Sequence, residues 1–268
     1  MSIRTEVYQE IKEQIQRGET IIISESEIKG SVLELEEAKK RYDELRKKVL
    51  KPKLAVEFGV VVFGSSRVEK HEEEYKFAVE LGRSLVEARD IAVITGGGPG
   101  IMEAALKGAK LGRKAAIARG ETRFAKNHGI TIKLPHQEDP NDYLDLEAQH
   151  QEFPARGQSF LDRTDGTYLA RGGIGTGYEL YLVMQGLQVQ QLEPEYQIVA
   201  DPSWERMVEA ANKVMFHDRR RVGLKPFIDE KDLSLVTFTN KIPRIVDIYA
   251  KSFDDWQKNI RQHVKIVP

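Results

Sequence analysis

IAVITGGGPGIMEAALKGAKL, from Ile91 to Leu111, is the stretch that decides the fold. Its first four residues, Ile91 to Ile94, are an apolar run that reads as a buried strand. The glycines from Gly96 to Gly98, followed by Pro99 and Gly100, break that strand in a tight turn. Gly100 to Leu111 then reads as a helix. The same order recurs downstream: TYLA (Thr167 to Ala170) is a short strand, RGGIGTGYE (Arg171 to Glu179) a second glycine turn, and Thr176 to about Leu192 a helix. A strand, a glycine turn and a helix N-terminus together make an anion site. Glycine lets the backbone come close, N–H groups point inward, and the helix dipole adds partial positive charge. Two such turns in one sheet imply a phosphorylated small molecule held from two sides.

Working outward, the chain alternates strand and helix. Val56 to Gly64 reads as a strand, Glu72 to Ala88 as an amphipathic helix, and Lys114 to Ala118 and Ile130 to Leu134 as further strands. A loop with Pro135, Pro140 and Asn141 follows, then a short helix from Pro154 to Leu161. Tyr196 to Ala200 and Leu233 to Phe238 are strands, and Trp204 to His217 and Ile242 to Gln262 are helices. This βαβ order predicts an α/β fold, a doubly wound parallel sheet. Ligands of such sheets sit beyond the carboxyl ends of the strands, where both glycine turns and the FGSSR turn (Phe63 to Arg67) would lie. Residues 1–53 read as an N-terminal helical extension, with a capping box from Ser31 to Glu34 opening its second helix. Residues 54–268 form the main domain.

Composition narrows the function. Basic residues number 41 and acidic residues 42, a net charge of −1, which argues against a broad nucleic-acid-binding face. Cysteine is absent, which excludes disulfides, thiolate catalysis and cysteine-ligated zinc. The sequence has no apolar stretch of membrane-spanning length and no signal-peptide core at its start, so a cytoplasmic location is expected. The histidines lack metal-ligand spacing, and no metal or cofactor is expected. His136 and His150, which flank the Pro/Asn loop, are minor site candidates. The arginines from Arg219 to Arg221 read as compensation of a helix C-terminus.

Each glycine turn has a structural reading beside its functional one. Gly96 to Gly100 exceeds what close packing needs, which favours phosphate or ribose binding, with Glu103 one turn into the helix. It is a poor dinucleotide fingerprint, because the glycines fall as G-G-G-P-G, although Glu121 follows at a plausible distance. In the second turn, Thr176-x-x-Glu179 reads equally as a helix capping box or as a carboxylate beside a phosphate site. Arg156 stands on the helix that leads to this turn.

These residues resemble the Lonely Guy type of protein, often labelled lysine decarboxylase-like. That family carries GGGxGxMxA after its second strand and PGGxGTxxE after a later one, and this chain has GGGPGIMEAA and RGGIGTGYE. VVFGSSR resembles the family's opening strand, and ITIKLPHQEDPNDYLD (Ile130 to Asp145) a segment of its bacterial branch. The similarity spans roughly residues 55 to 250. The resemblance implies a Rossmann-like nucleotide-binding domain and a homodimer or larger homo-oligomer. It also implies hydrolysis of a nucleoside 5′-monophosphate at its N-glycosidic bond, giving free base and ribose 5-phosphate. Glu179 and Arg156, which stands fifteen residues before the PGG proline position, match the catalytic pair. Gly64, Ser65, Gly96, Gly97, Gly98, Gly100, Met102, Glu103, Arg171, Gly172, Gly173, Gly175 and Thr176 would hold the phosphate and ribose.

Two positions depart from the pattern. Gly157 replaces the lysine after the catalytic arginine, and Arg171 replaces the PGG proline. Arg171 is expected to restore part of the missing charge. Arg119 to His128 resembles an insertion that would reshape the base pocket. Nothing marks a pyridoxal phosphate site, so the decarboxylase label has no chemical support. The rival readings are a non-catalytic carrier of a nucleotide or of molybdenum cofactor, which the same superfamily includes, and a nicotinamide oxidoreductase using Glu121.

Overall fold

The computed structural model describes residues 57–133 and 139–263, so the helical extension expected over residues 1–53 lies outside the described residues, as does His136. The order of elements is β1 (Phe58–Phe63), α1 (Glu73–Ala88), β2 (Ile91–Thr95), α2 (Ile101–Ala118), β3 (Asn127–Ile132), β4 (Leu146–His150), α3 (Phe153–Arg163), β5 (Gly166–Leu169), α4 (Ile174–Gln188), β6 (Gln197–Ala200), α5 (Glu205–Asn212), α6 (Asp218–Arg221), β7 (Val236–Phe238) and α7 (Ile242–His263). A π-helical turn, Lys213–His217, joins α5 to α6.

Among the described residues, seven strands form one sheet in the order β4-β3-β2-β1-β5-β6-β7, and each neighbouring pair is parallel. The chain starts at the centre, moves outward through β2, β3 and β4, then crosses to build β5, β6 and β7 on the other side of β1. The reversal falls between β1 and β5, where Phe63 pairs with Leu169. Loops leaving these two strands diverge, and the resulting crevice is the usual ligand site of such sheets.

Strand alternation sorts β1 onto the two faces. Val60 and Val62 pack with Tyr75, Leu81, Leu106 and Tyr249, under α1, α2 and α7. Val61 and Phe63 pack with Phe160, Leu161, Leu180 and Val183, under α3 and α4. A parallel strand covered on both faces reads as an unbroken apolar run, as VVVF does.

Helices α1 and α2 approach until backbone meets backbone. A Cβ on Gly108 would lie 1.8 Å from the Val79 carbonyl oxygen, and one on Gly82 would lie 2.1 Å from that of Ala105. This contact packs the helix that follows the first glycine turn tightly against α1.

Several expectations are corrected. Lys114 to Ala118 is not a strand but the last turns of α2. Alanine and lysine favour helix, and the helix continues until Gly120 takes a φ of 84°. Glu121 is therefore not at the end of a strand. It lies in the following loop, paired with Arg119 at 2.8 Å and with Arg123. The expected insertion, Arg119 to His128, leads into the start of β3 at the amino edge of the sheet, opposite the glycine turns, so it does not border a pocket there. LEAQH, Leu146–His150, forms an edge strand that the loop reading missed.

Gly108→Ala tests the close helix pair. Helix propensity would favour alanine, but the overpacked contact is expected to win, at a net cost of about 1–3 kcal/mol in urea unfolding.

Candidate functional site

The three turns at the carboxyl edge are tied together through one residue. The Ser65 N–H donates to the Arg171 carbonyl at 3.1 Å, and the Ser65 carbonyl accepts from Ile101 N–H at 3.1 Å. One backbone segment thus joins the loop after β1 to the second glycine turn and to the start of α2. Gly64 is fixed against Ile101, whose Cγ2 would lie 2.6 Å from an added Cβ. Ser65, expected at the phosphate, has its N–H committed to this tie.

The first glycine turn is held in shape by Asn141. Its Nδ2 donates to the carbonyls of Gly97 at 2.8 Å and Gly98 at 2.9 Å, and its N–H donates to Gly97 O at 2.9 Å. The Thr95 hydroxyl accepts from Gly97 N–H at 3.0 Å. Gly97 and Gly100 have φ of 77° and 69°, which L side chains rarely adopt. Since a peptide N–H points opposite to its carbonyl, pinning Gly97 O to Asn141 turns the Gly98 N–H the other way. Met102 folds over Gly96 and Gly98. Glu103 turns toward α1, where it accepts from the Tyr75 hydroxyl at 3.1 Å and pairs with Lys70 at 3.0 Å.

Arg156 and Glu179 come from the opposite face of the sheet. Arg156 lies near the start of α3, whose first turn contains a proline. Its Nε donates to the Ile130 carbonyl at 2.8 Å, and its guanidinium lies 5.0 Å from the Phe160 ring centroid. Nη2 presses on Gly96 so closely that an added Cβ would lie 2.2 Å away. Nη1 stands 3.8 Å from Glu179 Oε1, and the two side chains are only 13% and 14% exposed. Burial lowers the Arg156 pKa, opposed by the charge of Glu179. Burial pushes the Glu179 carboxyl up to about 8, with Arg156 pulling against it. An ion pair at this separation without a direct hydrogen bond recovers only part of the desolvation cost.

Helix α4 starts at Ile174, with extended Gly173 before it and no side-chain cap. Thr176 is therefore the third helical residue and Glu179 lies in the second turn, so the two do not form the capping box. Thr176 is buried with Oγ1 against Gly172, while Gly173 and Gly175 border open space. Ile174 is 95% exposed. The second glycine turn thus presents an open helix N-terminus beside Arg156 and Glu179.

Arg171 points elsewhere. It is 58% exposed and pairs with Glu74 at 3.1 Å and Asp201 at 3.4 Å, which take up its charge. The residue that faces Gly157 is Tyr178, on the first turns of α4. His150 ends β4, and its pKa is lowered by burial and then by Arg163 and Arg156. Its Nε2 has no hydrogen-bond partner among the described residues. The sequence offered no signal for Asn141 or Tyr178 beyond a Pro-Asn loop and a tyrosine beside Glu179. Among the described residues, no group of His, Asp and Glu is arranged to hold a metal ion, and no helix is long and apolar enough to cross a membrane.

Comparison with known proteins finds similarity over part of the chain, in line with the resemblance described above. Residues 57–138 match the model of the SLOG cluster4 family. The chain is 29% identical over 128 residues to a pyrimidine/purine nucleotide 5′-monophosphate nucleosidase of Escherichia coli K12, covering 47% of this chain and 26% of that protein. It thus spans about a quarter of the length of the curated nucleosidases it matches. An uncharacterised protein of Archaeoglobus fulgidus is 28% identical over 159 residues, covering 59% of this chain and 93% of that one. The molybdenum cofactor carrier protein of Chlamydomonas reinhardtii aligns in structure with a TM-score of 0.49 and 15% identity, over 74% of this chain and 99% of that one.

Burial of Glu179 makes stability depend on pH. Its folded pKa of about 8 lies above the ordinary 4.5, so the folded state keeps a proton that the unfolded chain releases between those values. Stability falls as pH rises through that window. Glu179→Gln cannot ionise and lacks this slope. Relative to that variant, the wild type is expected to lose on the order of a few kcal/mol between about pH 5 and about pH 9, measured by urea unfolding. Asp165, buried at the amino edge and pushed up to about 6, titrates in both proteins and cancels in the difference.

Proposed function

We propose that the chain hydrolyses the N-glycosidic bond of a nucleoside 5′-monophosphate, releasing the free base and ribose 5-phosphate. The observation that carries this reading is the buried Arg156–Glu179 pair, set between two glycine turns with its guanidinium against Gly96. The similarity to a nucleotide 5′-monophosphate nucleosidase supports the same chemistry.

The turns at Gly96 to Gly100 and Gly172 to Thr176 would grip the 5′-phosphate through backbone N–H groups, whereas Glu103 would have to leave Tyr75 and Lys70 to reach the ribose. That grip lies away from the bond that breaks, so its binding energy can serve orientation. Cleavage builds oxocarbenium character on the ribose as the bonding pair moves onto the base. Glu179, ionised, stabilises that cation and takes a proton from the water that attacks the anomeric carbon; it then releases that proton to solvent, from which the departed base takes one up. Arg156 cannot drift, since Ile130 and Phe160 hold it, and it offers a fixed positive charge to the phosphate or the departing base. Arg171, already paired with Glu74 and Asp201, adds little charge at this point.

A carrier of a phosphorylated ligand is the second reading, and it is favoured by Gly157, where the resemblance implies a lysine. A carrier binds a nucleotide and releases no base.

A panel of nucleoside 5′-monophosphates, assayed for ribose 5-phosphate, separates the two. The wild type is expected to turn over at least one of them, and Glu179→Ala and Arg156→Ala each to lose on the order of a hundredfold or more in kcat. No release from any nucleotide would remove the hydrolase reading. Undiminished release by the Glu179 variant would remove the mechanism. If the ionised carboxylate is the working form, kcat/KM rises with pH toward a plateau above about 8, the value set by burial of Glu179.

A further inference from the structure

Gly157 is buried on α3, one residue past Arg156. A Cβ there would lie 3.1 Å from the Tyr178 hydroxyl and 3.3 Å from Leu182 Cδ2. Tyr178 and Leu182 are four residues apart on α4, hence on one face of that helix, and both meet α3 at this point. The missing side chain at Gly157 is what admits the phenol. Its hydroxyl is thereby brought beside the segment of α3 that carries Arg156, and its own helix places it next to Glu179.

The ring itself is not core. Tyr178 is 47% exposed, whereas Phe160, the aromatic under the guanidinium, is buried. A nucleotide held by its phosphate at the glycine turns, with its anomeric carbon between Arg156 and Glu179, must send its base outward past that pair. Base recognition needs an apolar wall with a polar tip, which a half-exposed tyrosine supplies.

We propose that Tyr178 is a specificity-determining residue of this site, its ring lying against the nucleobase and its hydroxyl donating a hydrogen bond to an acceptor atom of the base. The assignment rests on the nucleosidase reading above. The bond strengthens as the glycosidic electron pair moves onto the base and its acceptor atoms gain negative charge. The phenol keeps its proton throughout, and the water that attacks the anomeric carbon still loses its proton to Glu179.

The test compares the purified full chain with Tyr178→Phe and Tyr178→Ala on AMP, GMP, CMP and UMP, following ribose 5-phosphate release. Tyr178→Phe removes only the hydroxyl at a half-exposed position, so its melting temperature is expected to match the wild type. Its kcat/KM on the preferred nucleotide is expected to fall roughly tenfold, with the preference among the four bases compressed. Tyr178→Ala should lower it further by removing the ring. Inhibition by ribose 5-phosphate, which has no base, should stay unchanged in both variants. Wild-type turnover with unaltered kcat/KM and base ranking in Tyr178→Phe overturns the assignment and leaves the nucleosidase reading standing. Weakened ribose 5-phosphate inhibition in the variants also overturns it, because the residue then acts on the phosphate end. If the wild type itself releases nothing, the nucleosidase reading falls and takes this assignment with it.

Discussion

The backbone of Ser65 is the tie on which the ligand edge depends. Its N–H and carbonyl are the bridge from the loop after β1 to Arg171 in the second glycine turn and to Ile101 at the head of α2. Without that bridge, two glycine-rich loops on separate strands would keep their large conformational freedom. With it, and with Asn141 holding the carbonyls of Gly97 and Gly98, both turns become parts of one rigid rim. Rigidity matters because backbone N–H groups bind an anion well only when their directions are set before it arrives.

That rim encloses an unusual electrostatic arrangement. Arg156 is anchored by a backbone carbonyl and an aromatic ring, and its guanidinium stops 3.8 Å short of Glu179. A closer, bidentate pair would hold the carboxylate ionised and bury its lone pairs in the partner. The gap leaves Glu179 under-compensated, so burial dominates and its pKa rises toward the working range of a general base. Stability is given up in exchange for a carboxyl group able to change its charge near neutral pH. Gly96 is part of the same device, since a side chain there would displace the guanidinium.

Much of this was legible in residue order. The apolar run VVVF and the two strand–glycine–helix units point to a parallel sheet with its ligand edge at the turns, and the sheet has that form. The misreadings have separate causes. KAAIA, Lys114 to Ala118, contains enough apolar residues to pass for a strand, yet it belongs to α2 because alanine and lysine favour helix and no breaker follows before Gly120. LEAQH forms a strand although its apolar alternation is only Leu146 and Ala148, because an edge position needs only one neighbour and leaves most of its side chains in solvent. Thr176 and Glu179 have capping-box spacing, but the helix begins earlier, at Ile174, and spacing alone does not set where a helix starts.

By itself the sequence determined the class of sheet and the edge where its glycine turns gather, while Arg156 and Glu179 were singled out as a pair by the family resemblance. Periodicity and glycine clusters are local properties, so a linear reading recovers them. Tertiary structure alone decided which groups face one another. It turned Arg171 outward to Glu74 and Asp201, placed Tyr178 over Gly157, and brought Asn141 onto the first turn from a loop some forty residues away. Those contacts join segments with no periodic relation to one another, and they exist because parallel strands send the loops that follow them to one edge of the sheet.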